Sequence, residues 1–363
     1  MKRILHVFNE IRYSGAEVML YNAIMEDMGG KCTNFACGTS PKLGDFSDVL
    51  TSVGCKVNHI ENKNVIIFSA SLLRFIFVNR IDIIHIHTER SFLLYGLLGT
   101  LAGKRTIRTI HSMVGSWTWI FRLKRKLSIS FLKTMGVQFV SIGQDLRENE
   151  LMHFENDTIL INNWYDSKSF NTNNYYLNRR RKRIELNIKD SEIVLVSIGN
   201  CNSNKNHQII IKALHKIDKL GIMNFRYIHI GEEENTRSEY MLAKEMGVSE
   251  KVFFAGKMGN FTDILHASDI FIMPSFQEGV GISAIEAAAS GLPILVSDIP
   301  GLRELYEEVD IIRKFDPNDV DSLVSAILDI PFRGKINSLQ SDKYMPKVGI
   351  RKYLELYGEK KCL

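Results

Sequence analysis

Two glutamates eight positions apart, Glu278 and Glu286, enclose the stretch of this sequence whose residue types best suit ligand chemistry. Gly279 and Gly281 lie between them, where the backbone can approach a ligand closely, and the amides of residues 282–283 would begin a helix. Free amides at the positive end of a helix dipole bind anions such as a diphosphate. Carboxylates beside such a site can accept hydrogen bonds from sugar hydroxyls. The pattern predicts a site for a diphosphate with a sugar beside it, and an ordinary turn with two loop acids is the alternative.

The sequence around Glu286, AIEAAAS, is apolar enough to bury this carboxylate. A buried carboxylate without a partner is costly, so we expect Glu286 to bind a ligand. The alternative is that Glu286 caps its own helix.

Two other sets of residues have the types of metal ligands. His85, His87 and His111 could form a zinc triad, because an HxH pattern on a strand places both rings on one face. No fourth ligand is evident in the sequence, so we prefer the interpretation that these rings line a ligand cleft. Asp319 and Asp321 form a DxD pattern, but they precede the apolar run SLVSAIL and indicate the start of a helix. We therefore expect neither a metal nor another cofactor.

The elements that must position these residues are short runs rich in Ile and Val, which alternate with longer amphipathic segments. The first series lies at 4–8, 81–87, 106–111, 138–142 and 159–161, and the second at 193–198, 226–230, 251–255, 270–273 and 294–297. Strands of this kind are typical of a parallel sheet that is buried on both faces. The sequence predicts an α/β protein of two doubly wound, Rossmann-like domains that face each other across a cleft, with ligands at the carboxyl ends of the strands.

The length of 363 residues, with 45% hydrophobic composition, suffices for two cores. We predict a first domain at 1–170, a linker at 171–190 and a second domain at 191–342. The linker contains the charge run RRRKR at 179–183 and has little apolar periodicity, which is typical of a solvated connector.

Composition argues against several classes of protein. The formal net charge of +5, from 46 basic and 41 acidic residues, is too mild to indicate nucleic-acid binding. The five cysteines lack the paired spacing of a zinc site or a disulfide framework and favour a reducing compartment. The first apolar stretch is too short for a signal peptide and no later run is long enough to span a bilayer, so we expect a cytoplasmic location.

The segment EGVGISAIE, from Glu278 to Glu286, resembles the mark of family 4 of the retaining glycosyltransferases, in which seven residues separate two glutamates. The resemblance also rests on YSGAEVML at 13–20, TIRTIH at 106–111, VSIGNCNSNKN at 196–206, YIHIGEEE at 227–234 and FAGKMGN at 254–260. It extends over nearly the whole chain. It implies the GT-B fold, with an acceptor-binding first domain, a donor-binding second domain, and a helix at 343–363 that returns to the first domain.

The resemblance also implies roles for individual residues. Glu278 would contact hydroxyls of the transferred sugar, and Glu286 would bind the nucleotide ribose. Lys205 would neutralise the diphosphate, whereas Asn200 stands where the family has an arginine. His111 would face the donor sugar and the leaving group, and it completes the expected catalytic set with Lys205 and Glu278. Further donor contacts are expected at Gly15, Gly231, Lys257, Met258, Gly279, Val280, Gly281, Ile282 and Ser283.

The implied activity is the transfer of a hexosyl or N-acetylhexosaminyl group, with retention of configuration, from a UDP- or GDP-linked donor. The acceptor would be a hydroxyl of a glycan or lipid-linked glycan in cell-surface polysaccharide synthesis, and no metal is expected to take part. Two alternatives stay open: a sugar-nucleotide epimerase of the same fold, and a degenerate partner subunit that binds without turnover. The second is kept open by Asn200 and by Trp164, which stands where a glycine is common.

Residues 117–135 have the pattern of a basic amphipathic helix. Apolar side chains recur at Trp117, Ile120, Phe121, Leu127 and Phe131, and positive charge comes from Arg122, Lys124, Arg125, Lys126 and Lys133. Such a helix can lie in an anionic membrane surface, here the inner face of the cell membrane. Its apolar stripe could equally be buried in the first domain.

Overall fold

The computed structural model describes residues 1–113, 118–233, 237–331 and 336–358. The chain divides into two compact units, one formed by Met1–Trp164 with Lys343–Leu363 and the other by Tyr165–Asp342. Each unit contains a sheet of parallel strands that are connected through helices. The prediction of two Rossmann-like domains is therefore confirmed.

The strands of the first unit are β1 (Lys2–Phe8), β2 (Cys32–Gly38), β3 (Lys56–His59), β4 (Ile83–Ile86), β5 (Arg105–Ile110), β6 (Gln138–Ser141) and β7 (Ile159–Leu160). They pair in parallel in the order β3-β2-β1-β4-β5-β6-β7. The order reverses between β1 and β4, and ligands of such sheets bind at the carboxyl ends beside this switch point. Strands β2 and β3 were not predicted, because their sequences CTNFACG and KVNH contain one Val and no Ile.

The helices of the first unit that precede the second unit are α1 (Gly15–Ala23), α2 (Gly29–Lys31), α3 (Ser47–Ser52), α4 (Val65–Val78), α5 (Phe92–Leu101), α6 (Trp119–Thr134) and α7 (Gln144–Phe154). A π-helical turn, Ile24–Met28, follows α1. Helix α6 is the predicted amphipathic helix, and Trp117 lies outside the described residues. Among the described residues, no helix is long and apolar enough to cross a bilayer.

Helix α6 packs into the first unit through a charged residue as well as through apolar ones. Arg125 was predicted as one of the positive charges of a basic amphipathic helix, but it does not lie on the surface. The side chain is buried and donates to Glu89 at 2.5 Å and to Glu150 at 2.8 Å. Arg108 on β5, which is fully buried, also donates to Glu89 at 2.6 Å. The guanidinium groups can be buried because carboxylates neutralise them.

The strands of the second unit are β8 (Ile193–Ile198), β9 (Phe225–Ile230), β10 (Val252–Gly256), β11 (Ile270–Met273), β12 (Ile294–Ser297) and β13 (Ile312–Phe315). They pair in parallel in the order β10-β9-β8-β11-β12-β13, which reverses between β8 and β11. The helices are α8 (Tyr175–Glu185), α9 (Gln208–Leu220), α10 (Ser238–Glu245), α11 (Thr262–Ala267), α12 (Ile282–Ala289) and α13 (Val320–Asp329). Asp319 caps α13 by accepting from the amide of Asp321 at 2.9 Å, as its helix-start pattern predicted.

The segment predicted as a linker at 171–190 instead contains α8, which is part of the second unit. Arg179 donates to the carbonyl of Ser268 and to the carboxylate of Asp269, both at 2.6 Å. Arg183 is buried and donates to the carbonyls of Ala267, at 3.0 Å, and Lys189, at 2.8 Å. Two charges of the run therefore satisfy backbone carbonyls at the end of α11 rather than facing solvent.

The last helix, α14 (Pro346–Leu356), belongs to the first unit and explains the presence of Trp164. This indole is buried and packs where Gly349 of α14 has no side chain: a Cβ at Gly349 would lie 2.3 Å from Cε3 of Trp164. Tyr353 of the same helix meets the indole edge to face, with ring centroids 6.0 Å apart. The large residue at 164 and the small residue at 349 are complementary in volume, so Trp164 has a packing role here.

Candidate functional site

Most of the predicted donor residues of the second unit lie at the carboxyl ends of β8 and β11, beside the switch point of the sheet. Two loops meet there, 199–207 after β8 and 274–281 after β11. The amide of Phe276 donates to the carbonyl of Asn204 at 2.8 Å, and the side-chain amide of Asn204 donates to the carbonyl of Gln277 at 3.0 Å. These contacts fix one loop against the other.

Lys205 and Glu278, both predicted as catalytic, are in direct contact. The Lys205 Nζ atom lies 2.6 Å from Oε1 of Glu278, and Ser275 Oγ donates to the same oxygen at 2.7 Å. Both side chains are partly exposed, with 25% and 13% of their surfaces accessible, so the pair is held in place while its outer face stays open to a ligand. The cation can bind a diphosphate, and the carboxylate can accept hydrogen bonds from hydroxyls of a group next to that diphosphate.

Helix α12 begins at Ile282, within the start predicted at 282–283, and follows Gly281 in the left-handed conformation with φ of 69°. A Cβ at Gly281 would lie 2.4 Å from Cδ2 of Leu302, so the position suits glycine in both conformation and space. Gly281 stands at the N-cap position and has no side chain that could cap the first turn. Amides at such a helix start can bind an anion, which is the role predicted for Ile282 and Ser283.

Glu286 is 8% exposed on α12, and burial raises its pKa to about 8, with a smaller contribution from the negative charge of Asp166. None of the described residues donates a hydrogen bond to the Glu286 carboxyl group. The side chain therefore does not cap its own helix, which was the alternative role. The carboxyl group is mainly protonated at neutral pH in this state. A buried carboxyl group without a protein partner is a candidate ligand group.

Asn200 does not replace the missing arginine charge. Its Oδ1 atom accepts from the amide of Glu232 at 3.0 Å and so fixes the turn after β9. Gly231, in the same turn, donates its amide to the carbonyl of Gly256 at 3.0 Å. Lys257 and Met258 follow directly after β10, where the chain leaves the sheet on the same side.

The other predicted residues, Gly15 and His111, belong to the first unit. Gly15 is the first residue of α1 and follows β1, and the side chain of Asn163 lies 4.0 Å from the position of a Cβ there. His111 follows β5, and its Nε2 atom lies 2.9 Å from Nδ1 of His87. Both predicted residues thus lie at the carboxyl edge of the first sheet.

The structure adds buried titratable groups near Gly15 and His111 that sequence reasoning missed. Glu17 is buried in the first turn of α1 and accepts from the hydroxyl of Ser14. Burial raises its pKa to about 7. His6 lies in the middle of β1, and its Nδ1 atom is 3.0 Å from Nε2 of His87. A polar residue inside an otherwise apolar strand was the sequence signal for His6.

His6, His85 and His87 place ligand-type nitrogens within 4.8 Å of one another, which is the geometry to test for a metal site. Both nitrogens of His85 already have hydroxyl partners, Tyr357 and Thr109, each at 2.7 Å. The nitrogens of His6 and His87 that face each other share a hydrogen bond. Hydrogen bonds therefore explain the position of each ring. The ring nitrogens fit a polar network better than a metal site.

The sequence matches two family models. The model described as Glycosyltransferase Family 4 matches residues 13–144, within the first unit. The model described as Glycosyl transferases group 1 matches residues 178–331, within the second. Together the two matches take in most of the chain.

Named relatives and solved structures agree with these matches. The capsular polysaccharide biosynthesis glycosyltransferase CapH of Staphylococcus aureus is 21% identical over 92% of this chain and 93% of its own length. The UDP-Gal:alpha-D-GlcNAc-diphosphoundecaprenol alpha-1,3-galactosyltransferase of Escherichia coli is 23% identical over 82% of this chain and 79% of its own. The crystal structure of Anabaena Alr3699/HepE in complex with UDP and glucose has a TM-score of 0.75 at 14% identity, covering 98% of this chain and 96% of that one. The chain therefore belongs to the group 1 glycosyltransferases of the family 4 type, which have the GT-B fold.

Proposed function

We propose that this glycosyltransferase moves a hexosyl or N-acetylhexosaminyl group from a UDP- or GDP-linked donor to a hydroxyl of a glycan or lipid-linked glycan, with retention of configuration. The observation that carries the proposal is the contact between Lys205 and Glu278 at the switch point of the second sheet. The named relatives act in capsule synthesis or use UDP-galactose, and the HepE structure binds UDP and glucose. These likenesses support a UDP-linked donor and a role in cell-surface polysaccharide synthesis.

In the proposed donor complex, the amides of Ile282 and Ser283 and the ammonium group of Lys205 bind the diphosphate. Glu278 accepts hydrogen bonds from hydroxyls of the transferred sugar, and His111 faces the same sugar. The remaining donor contacts are proposed at Gly15, Asn200, Gly231, Lys257, Met258, Gly279, Val280 and Gly281. Lys205 and the helix start supply positive charge where the leaving phosphate gains negative charge, so this arrangement requires no metal ion.

Retention follows if the departing phosphate itself deprotonates the attacking hydroxyl on the same face of the sugar. The bond from the anomeric carbon to the phosphate oxygen breaks, and the acceptor oxygen forms the new bond as its proton passes to that phosphate. Such a step depends on close positioning and on stabilisation of the leaving group rather than on a protein nucleophile. Lys205 contributes most to the second requirement.

The direct test is a screen of purified protein against a panel of nucleotide sugars, by calorimetry and by slow donor hydrolysis. We expect one donor to bind and to release its nucleoside diphosphate. Glu286→Ala should weaken donor binding, and Lys205→Ala should lose mainly the release of nucleotide. Binding with no release of nucleotide in any acceptor mixture would support a degenerate subunit instead. Conversion of the sugar without release of nucleotide would support an epimerase.

The raised pKa of Glu286 predicts that donor binding is linked to protons. If the ribose hydroxyls donate to Glu286, binding favours the carboxylate, whereas the free protein holds a proton there up to about pH 8. We therefore expect proton release on binding at pH 7, and an affinity that rises with pH until about pH 8 and then becomes constant. Calorimetry at pH 7 in buffers of different ionisation enthalpy measures the released proton.

The matched control is Glu286→Gln, which keeps the shape of the side chain and cannot ionise. This variant should bind the donor more weakly and release no proton at this site. Equal proton release by the variant and the parent would contradict the assignment of Glu286 to the ribose.

We also propose that α6 lies against an anionic membrane surface. An outer stripe of apolar side chains is exposed along this helix, at Trp119, Ile120, Leu123, Leu127 and Phe131. The stripe lies opposite the face that is buried in the first unit, and α6 contains no acidic residue. Exposed apolar side chains between basic ones suit lipid headgroups of negative charge.

The test compares binding to phosphatidylcholine vesicles with and without phosphatidylglycerol. We expect binding only with the anionic lipid, and a partition coefficient roughly tenfold or more lower in the double variant Leu123→Gln/Leu127→Gln, because two exposed leucines leave water on docking. The control is Leu220→Gln, an exposed leucine at the end of α9 in the other unit. Equal losses in both variants, or no dependence on anionic lipid, would contradict the assignment.

A further inference from the structure

A chain of hydrogen bonds between side chains crosses the sheet of the first unit from β2 to the end of β5. Oδ1 of Asn34 lies 3.3 Å from Nε2 of His6, and Nδ1 of His6 lies 3.0 Å from Nε2 of His87. Nδ1 of His87 lies 2.9 Å from Nε2 of His111. The four side chains come from or directly follow the adjacent strands β2, β1, β4 and β5. We name them the histidine relay.

The three rings of the histidine relay are neutral at physiological pH. Burial lowers the pKa of His6 and of His111 to about 4, and it lowers the pKa of His87 well below 6.5. A neutral imidazole has one N–H donor and one nitrogen lone pair. The relay therefore has three N–H donors for its three hydrogen bonds.

The acceptor at the start of the relay decides where each proton lies. Oδ1 of Asn34 can only accept, so His6 must donate through Nε2 and accept through Nδ1. His87 then donates through Nε2 and accepts through Nδ1. This leaves the proton of His111 on Nε2 and a lone pair on its Nδ1. That Nδ1 atom is buried and has no hydrogen-bond partner within the described residues.

We propose that Asn34, His6 and His87 are positioning residues that hold His111 in this tautomer, so that its Nδ1 accepts a hydrogen bond from a hydroxyl of the transferred sugar. A phosphate diester oxygen has no proton to donate, so the partner of this nitrogen is a sugar hydroxyl and not the leaving diphosphate. The orientation of His87 is fixed further by stacking on Phe8, with ring centroids 4.7 Å apart and planes 7° apart. The last step, contact with the sugar, rests on the proposed transferase function.

The tautomer can be tested without any substrate. In protein labelled with ¹⁵N at histidine, long-range ¹H–¹⁵N spectra distinguish protonated from bare ring nitrogens, and loss of one set of signals in His111→Gln assigns His111. We expect a protonated Nε2 and a bare Nδ1 in the parent protein. A protonated Nδ1 of His111 would overturn the proposal.

The role of the distant residues is tested with Asn34→Leu, which removes the starting acceptor and keeps the branched shape of the side chain, and with His87→Phe, which keeps a ring against Phe8. We expect signals of a second His111 tautomer in Asn34→Leu, and a fall in kcat/KM of about 10-fold in both variants. The control is Thr109→Val, which removes the buried hydroxyl that contacts His85. It leaves all four side chains of the histidine relay in place. This control should keep the parent tautomer and kcat/KM within about threefold.

The outcomes separate the relay from the proposed function. Equal losses in Asn34→Leu and Thr109→Val, with one unchanged His111 tautomer, would overturn the positioning role. Saturating donor should also move the Nδ1 resonance of His111, and no movement with a bound donor would overturn the contact with the sugar. If no donor is bound or turned over while the tautomer depends on Asn34 as expected, the proposed function fails and the positioning of His111 stands.

Discussion

Replacement of Lys205 by Met is expected to lower kcat by about 10²- to 10³-fold, with a smaller change in the KM of the donor. The ammonium group lies 2.6 Å from Glu278 in the ligand-free protein and would approach the leaving diphosphate in the proposed complex. Its charge is most useful when negative charge builds up on the phosphate, so the loss falls mainly on the transition state. Met keeps an unbranched side chain that is one atom shorter, and it removes the charge together with the N–H donors. Steady-state kinetics with the donor found in the panel screen measure the effect.

Lys212→Met is the matched control, because Lys212 is an exposed lysine on α9, shortly after the loop that carries Lys205. This variant should keep kcat within about twofold of the parent, since an exposed lysine away from the site contributes little. The loss of Lys205 also leaves Glu278 with Ser275 as its remaining donor. A rise in KM with unchanged kcat in Lys205→Met would contradict a role in leaving-group stabilisation and would indicate binding of the ground state alone.

Replacement of Gly301 by Ala is expected to lower kcat/KM by about 100-fold and to lower the melting temperature by several degrees. Gly301 follows β12 with φ of 87°, and a Cβ there would lie 2.3 Å from the carbonyl oxygen of Glu278. That atom is backbone and cannot rotate away, so the Glu278–Gly279 peptide must shift. The shift would separate Glu278 from Lys205 and alter the approach to α12. Thermal unfolding and steady-state kinetics measure the two effects.

Gly221→Ala separates the strain of a positive φ from the clash. Gly221 ends α9 with φ of 65°, but nothing lies within 4 Å of its Cβ position. This variant should lose about 1 kcal/mol of stability and keep kcat/KM near the parent value. A similar loss of activity in both variants would show that Gly301 acts through general stability and not through the position of Glu278.

Much of the fold could be predicted because it depends on local patterns. Runs of Ile and Val recur in most of the strands, and the helix after Glu278 began within one residue of its predicted start. Prediction from local patterns failed where burial comes from small or polar residues, as in β2, whose buried sequence CTNFACG has no β-branched apolar residue. It also failed for the charge run at 179–183, because a pattern of charges does not show which carbonyls the guanidinium groups will meet.

Several properties of the candidate site join residues that are far apart in the chain. Lys205 and Glu278 are separated by 73 positions, and their contact exists because β8 and β11 are neighbours in the sheet. The pKa of Glu286 is raised because the second unit packs around it. The histidine relay needs four adjacent strands in one order. Each property depends on strand order and burial, which no local pattern specifies.

The sequence by itself determined the class of protein. Alternating strands and helices indicated two Rossmann-like domains, and the resemblance of the segment from Glu278 to Glu286 implied a family 4 glycosyltransferase. These features are short in range, so they can be recognised without coordinates. Only the tertiary structure decided that Trp164 fills the space left by Gly349 and that Arg125 forms a buried ion pair with Glu150. The same is true of the apolar stripe of α6, which faces solvent. Those outcomes depend on which surfaces pack together, because burial sets the cost of every charge and the value of every apolar contact.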